Sequence, residues 1–315
     1  MIGDDHRLTA GYIARHVPPG SRLGIDVAVL DIAQDFLLSH LEQGGLFSDL
    51  VVFKGGTALR KFFAGSEGRF STDLDLASRE LHVDRQALAA LIAEHSDVTL
   101  GPFEFQPRES RGRWTIQVRS EFGNPTVSIK LDVGPPCWLA PEERPFVGTL
   151  AQSRYGFSPP HIPVMCLEEI LAEKVARLTR VATARDASDL VWASSTSPHS
   201  QFSQELVRRL AVLKVWVDNN GLGNEWRPAL SPCAFDPDAW LAPRDRWDDE
   251  QIGLLAHPPP ALADLERDLA QYYGWLRDLT DEEKRWAQAQ PGSRGEVIAA
   301  IRGLDGSTLQ EAHLY

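Results

Sequence analysis

LVVFKGGTALRKFFAGSEGRFSTDLDL, residues 50–76, decides how the rest of the chain is read. An apolar run, Leu50 to Phe53, precedes Gly55-Gly56-Thr57. A short helical stretch over 58–63 and a polar turn follow, and the segment ends in Asp73-Leu74-Asp75-Leu76. This order predicts strand, glycine turn, helix, loop and strand. Glycines let a backbone approach something bulky, and amides at a helix start suit an anion. Thr57 stands where an N-cap is expected. In a strand, neighbouring side chains alternate between faces, so Leu74 and Leu76 point inward while Asp73 and Asp75 share the other side. Two carboxylates held that close repel unless a cation lies between them, and hard oxygen pairs suit Mg²⁺ or Mn²⁺. Either feature alone is common on surface loops; their combination within one hairpin-sized unit is the stronger signal.

These residues carry a resemblance. GGTAL followed by RFSTDLDL resembles the signature of the DNA polymerase beta-like nucleotidyltransferases, and KGGTALRK with RFSTDLDL resembles, more narrowly, the AbiEii/AbiGii toxin family, which includes MenT-type toxins of type IV toxin–antitoxin systems. The resemblance implies a bilobed α/β (α+β) enzyme, with a mixed sheet in a nucleotidyltransferase lobe over 1–150 and a helical lobe over 151–315 completing a nucleotide cleft. Gly55, Gly56 and Thr57 would hold the β- and γ-phosphates of a nucleoside triphosphate, and Asp73 and Asp75 would hold the metal.

Further along, Val83 to His95 reads as a helix, and Phe103 and Phe105 mark a strand. Trp114 to Phe122 and Thr126 to Val133 predict two more strands, joined at Gly123-Asn124-Pro125. In the last of these, Val127, Ile129, Leu131 and Val133 alternate with Thr126, Ser128, Lys130 and Asp132. The superfamily places a third acid on a neighbouring strand, so the resemblance makes Asp132 the third metal ligand. The other reading is an exposed strand carboxylate paired with Lys130. Seven prolines, from Pro135 to Pro163, argue against a regular helix or central strand over 134–163 and make it a connector.

Residues 166–180 form an apolar stripe of Leu167, Ile170, Leu171, Val175 and Leu178, with Glu173, Lys174, Arg177 and Arg180 on the other side. Taken alone these charges are a helix surface, with Glu173 and Arg177 suitably spaced for a salt bridge. The resemblance makes Lys174 the motif lysine that neutralises triphosphate charge, leaves Arg177 open as a further nucleotide contact, and gives Asp186, in the Arg185-Asp186-Ala187-Ser188-Asp189 segment, a role in orienting Lys174 or the nucleotide. Asp186 and Asp189 also suit a helix N-terminus. Earlier in the chain, residues 25–43 read as an amphipathic helix whose Asp26, Asp31 and Asp35 belong to a solvated face. Trp226, Trp240 and Trp247 are expected to anchor an irregular segment.

Composition bounds the function. The 315 residues are 43% hydrophobic and 24% charged, ordinary for a globular protein, and a net charge of −12 argues against nonspecific coating of DNA. An RNA substrate requires only one basic face. Cys137, Cys166 and Cys233 lack metal-ligand spacing, which points to a reducing, cytoplasmic setting, and no apolar run is long enough for a membrane. The resemblance implies transfer of a nucleoside monophosphate from a triphosphate to RNA, with the tRNA 3′ end as the expected acceptor, and a cognate antitoxin as partner. The alternatives are transfer to a small molecule or a protein hydroxyl, or nucleotide binding without turnover. Arg108, Arg111, Arg113 and Arg119, together with the basic line over 174–185, are the residues that would mark an RNA-binding surface.

Overall fold

The structure is a computed structural model that describes residues 8–17, 24–122, 126–148, 152, 161–180, 183–195, 202–229, 233–241, 261–311 and 314. The turn at 123–125, the prolines at 18, 19, 159 and 160, and Trp247 lie outside the described residues, as does the side chain of Trp240. The described residues fall into two compact units. The first takes those within 8–136 and 141–164, the second those within 137–140, 165–241 and 261–314.

The first unit contains α1 (Ala10–His16), α2 (Ile25–Gln43), α3 (Leu46–Asp49), β1 (Val51–Lys54) and α4 (Gly55–Leu59). A π-helical turn, Arg60–Ala64, continues α4. Then come β2 (Asp73–Ser78), α5 (Arg85–His95), β3 (Val98–Leu100), β4 (Phe103–Ser110), β5 (Arg113–Arg119), β6 (Thr126–Gly134), β7 (Glu142–Pro145) and β8 (His161–Val164). The eight strands form one mixed sheet in the order β3-β4-β5-β6-β2-β1-β8-β7. The β2–β6 and β1–β8 pairs are parallel and the others antiparallel.

Alternation sorts the strands into two faces, as the period of two requires. Leu74 and Leu76 of β2, Ile116 and Val118 of β5, and Ile129, Leu131 and Val133 of β6 are buried in one core with Leu88 and Ile92 of α5 and Ile32 and Phe36 of α2. Asp84 caps α5, its carboxylate accepting from the amides of Gln86 and Ala87.

Two expectations need correction here. Residues 134–163 are not merely a connector, because β7 and β8 add two strands to the sheet. β8 meets β1 in register at Val164, one residue beyond Pro163, and Pro163 itself stands opposite Glu143 on β7. The α2 carboxylates Asp31 and Asp35 are not solvated: they are 3% and 0% exposed. Helix α2 is buried almost all round from Ala28 to Leu38.

The second unit is mainly helical. The helix Leu167–Arg180 packs against Ala184–Ser195 and Gln204–Asn220; Leu262–Tyr272 lies on Ala184–Ser195, and Asp281–Ala287 on Gln204–Asn220. Among the described residues, no helix is long and apolar enough to cross a membrane.

Candidate active site

The turn from β1 into α4 is sharper than a capped helix start. Gly55 has φ +81°, so the chain leaves the strand and enters the helix at once, and Lys54 rather than Thr57 occupies the position before it. Thr57 lies inside the helix, is buried, and donates its hydroxyl to the carbonyl of Asp73. This bond ties the glycine corner to the first residue of β2. A Cβ at Gly55 would lie 2.1 Å from Oδ2 of Asp75, and one at Gly56 would lie 2.4 Å from Nη2 of Arg69. The two glycines therefore leave room for an acid and a base.

Asp73 and Asp75 are half-buried on the face of β2 opposite Leu74 and Leu76. Thr72 donates its hydroxyl to Oδ1 of Asp73 at 3.1 Å. In the parallel ladder Asp75 stands opposite Asp132 and Asp73 opposite Lys130; in the antiparallel ladder Asp75 stands opposite Lys54. Asp132 is exposed. The side chain of Lys54 leans across β2, since a Cβ at Gly134 on β6 would lie 3.5 Å from its Nζ.

Among the described residues, no group of three or more Asp, Glu, His or Cys side chains is gathered closely enough to hold a metal as it stands. The donor chemistry still suits Mg²⁺ or Mn²⁺. Mg²⁺ typically takes one or two carboxylates and completes its shell with water and substrate phosphates rather than an all-protein cage. Asp73 and Asp75 would supply that pair, with Asp132 one ladder step away.

Behind the glycine corner lies a buried ion network. Asp31 accepts from Arg60 Nε at 3.0 Å and from Lys61 Nζ at 3.1 Å, and its Oδ2 is 2.6 Å from His16 Nε2. Lys61 also reaches Asp35 at 2.5 Å, and Asp35 accepts from the Gln152 amide at 2.6 Å. Burial alone would raise the pKa of Asp31, but Arg60, Lys61 and His16 outweigh it and hold the carboxyl well below its usual range. Arg60 further donates to the carbonyl of Gly68 and stacks 3.8 Å from the Phe70 ring centre. It thereby pins the loop that delivers the chain to β2.

In the second unit, Lys174 falls on the buried side of its helix and is 6% exposed. Its Nζ is 2.6 Å from Asp189 and 3.4 Å from Asp186, which lie one turn apart on the next helix. Asp186 also pairs with Arg177 Nε at 3.3 Å and accepts from the Thr183 hydroxyl at 2.6 Å. Arg177 is half-exposed and takes Asp186 as partner rather than Glu173, which lies 3.5 Å from Lys214. Arg180 pairs with Asp218 at 3.1 Å.

The family model described as nucleotidyl transferase AbiEii toxin, type IV toxin–antitoxin system, matches residues 36–275. The chain belongs to the AbiEii toxin family. Among solved structures, this AbiEii protein is similar to MenT4, a nucleotidyltransferase toxin of Mycobacterium tuberculosis H37Rv. The two share 36% identity over 93% of this chain and 98% of the other, with a TM-score of 0.80. It also resembles JHP933 of Helicobacter pylori at 14% identity over 85% and 98% of the two chains, with a TM-score of 0.45, too low to carry an argument. No curated protein sequence matches. The AbiEii protein is thus a nucleotidyltransferase toxin of the type IV class with the mixed-sheet fold of MenT4.

Two cations beside the AbiEii acids escaped the sequence reading. Arg69 approaches Gly56 and donates to the carbonyl of Phe70 at 3.0 Å, and Lys54 faces Asp75. Both stand within the quoted motif, Lys54 directly before the glycines and Arg69 at the head of RFSTDLDL. The available signal was a cation at each end of an acid-bearing unit.

Proposed function

We propose that the AbiEii protein transfers a nucleoside monophosphate from a nucleoside triphosphate to the 3′ end of an RNA, with tRNA as the acceptor class. In this reaction the 3′-hydroxyl gives up its proton to solvent as its oxygen bonds to the α-phosphorus, the bond from that phosphorus to the α,β-bridging oxygen breaks, and pyrophosphate leaves with that electron pair. The observation that carries the reading is the placement of Asp73 and Asp75 on one sheet face beside the glycine corner, with Asp132 opposite Asp75, in a chain of this family.

Gly55 and Gly56 would offer backbone amides to the phosphates, and Thr57 keeps that bend tied to Asp73. Arg69 supplies fixed positive charge behind Gly56. Asp73 and Asp75, with Asp132, would hold Mg²⁺ or Mn²⁺. When bound, that ion would offset phosphate charge and make the attacking hydroxyl more nucleophilic. Lys174 is the further nucleotide contact we propose, oriented by Asp186 and Asp189, with Arg177 beside it. The cytoplasm, where tRNA is charged, is the proposed site of action, and a cognate antitoxin the proposed partner.

Incubation with total RNA and each labelled triphosphate tests the reading. Label is expected in tRNA-sized species. Label confined to a small metabolite or to the protein itself would replace the RNA acceptor with one of those.

A further inference from the structure

The sheet face that bears the acids continues across the neighbouring strands. On β6, Thr126, Ser128, Lys130 and Asp132 are all exposed, while Ile129, Leu131 and Val133 point into the core under α5. The ladder extends this outer face residue by residue. Asp73 lies opposite Lys130, Lys130 opposite Thr115 on β5, and Thr115 opposite Arg108 on β4. Arg113, two residues before Thr115, shares the face and lies opposite Ser110.

A band that begins at Asp73 therefore passes into three cations, Lys130, Arg113 and Arg108, all exposed. Strands are spaced about 4.8 Å apart, so Arg108 stands roughly 14 Å from the acid strand. Lys130 stands beside the acids, opposite Asp73 and two residues from Asp132, whereas Arg113 and Arg108 lie on strands further from them. Glu109 alternates to the other face, opposite Trp114. Glu104, at the far end of β4, lies opposite Arg119 and accepts from the Gln106 amide at 2.6 Å. Arg108 in turn donates to Gln106 Oε1 at 3.2 Å, which lays its side chain along the strand.

We propose that Lys130, Arg113 and Arg108 form the track on which the phosphodiester backbone of the RNA acceptor lies while its 3′ end reaches Asp73 and Asp75. The assignment rests on the RNA-transfer reading above. Spaced cations on an open face match a series of phosphates rather than a single anion. Arginine forks recognise phosphate oxygens in pairs, and exposed cations in a chain of net charge −12 mark a local preference for a polyanion.

The test uses full-length protein carrying Asp73→Ala, so that binding is read without turnover, and labelled total tRNA as probe. Lys130→Gln, Arg113→Gln and Arg108→Gln together are expected to weaken tRNA binding by about tenfold or more. They should also flatten the slope of log affinity against log salt by about 2, from three lost phosphate contacts at roughly 0.7 each. Triphosphate affinity, measured by calorimetry without RNA on the three cation substitutions in protein that keeps Asp73, is expected to match that of the unsubstituted protein and reports that the fold is intact. Unchanged tRNA affinity and salt slope would overturn the track, whatever happens to a protein partner, and leave the transfer reading standing. If the Asp73→Ala protein binds no RNA and the unsubstituted protein labels only a small molecule, the RNA reading itself falls.

Discussion

Asp75 stands directly opposite Asp132 in the parallel ladder between β2 and β6. Neighbouring strands lie about 4.8 Å apart, so two like charges on directly opposite residues share one small area of sheet. Lys54 faces Asp75 from the other neighbouring strand, and Gly55 gives up its side chain to the same carboxylate. Two carboxylates and one lysine leave that area net negative, which suits a divalent ion.

Asp73→Ala and Asp75→Asn should each lower nucleotide transfer by about a thousandfold or more, because each would remove a proposed metal ligand and with it stabilisation of developing charge. Thermal midpoints should change by only a few degrees, since half-buried like charges contribute little favourable energy. Full transfer activity in either variant would end the assignment.

Divalent-ion dependence is expected if the same acids hold the metal as proposed. Chelation should abolish transfer, and Mn²⁺ or Mg²⁺ should restore it. Mn²⁺ binding followed by electron paramagnetic resonance, without nucleotide turnover, should weaken in the Asp75→Asn variant. Equal Mn²⁺ binding in both proteins would show that the acid pair is not the metal site.

Gly55→Ala should be costly on two counts. The backbone sits at φ +81°, and the new methyl would fall 2.1 Å from Oδ2 of Asp75. Strain of this kind costs on the order of 1–3 kcal/mol, and Asp75 must move, so transfer should fall as well. Gly292→Ala, where nothing lies within 4 Å, is the control and should be tolerated. Chemical denaturation and a transfer assay on both variants would check this.

Acid should unfold the first unit in part through Asp31. Its folded pKa is depressed, so its contribution to stability is present above the unfolded carboxyl value of about 3.9 and is lost as pH falls through the lower folded value. Asp31→Asn should remove that segment of the pH–stability curve. At neutral pH it should cost about 3–5 kcal/mol, because Arg60 and Lys61 would remain buried with weakened partners. Denaturation midpoints from pH 2 to 7 for both proteins would show the difference, and parallel curves would contradict it.

Lys174→Met should weaken triphosphate binding and also lower stability, since Asp189 and Asp186 lose the ammonium 2.6 and 3.4 Å away. Affinity measured well below the melting temperature separates the two effects. Unchanged affinity alongside a lowered melting temperature would leave Lys174 a purely structural role.

Much of this was legible in the chain itself. Alternation in Asp73-Leu74-Asp75-Leu76 sorts acids from core, and the same period along 126–133 puts Asp132 with the polar set. The hydrophobic stripe of 167–178 marks its helix. Less legible was what covers a polar face. Asp31 and Asp35 have the spacing of a solvated helix side, but they are buried because Arg60 and Lys61, from a turn some thirty positions later, meet them there. Lys174 likewise looks like a surface charge until Asp186 and Asp189 are seen to receive it.

Local order along the chain thus determined the strands and helices, their inner and outer faces and the family motif, because these depend on backbone periodicity and on residues a few positions apart. Tertiary structure alone decided that Asp132 sits opposite Asp75, that Thr57 holds Asp73, and which charges are buried together. Strand register and helix docking join residues distant in sequence, and the favourable pairing of buried charges exists only once those segments have come together.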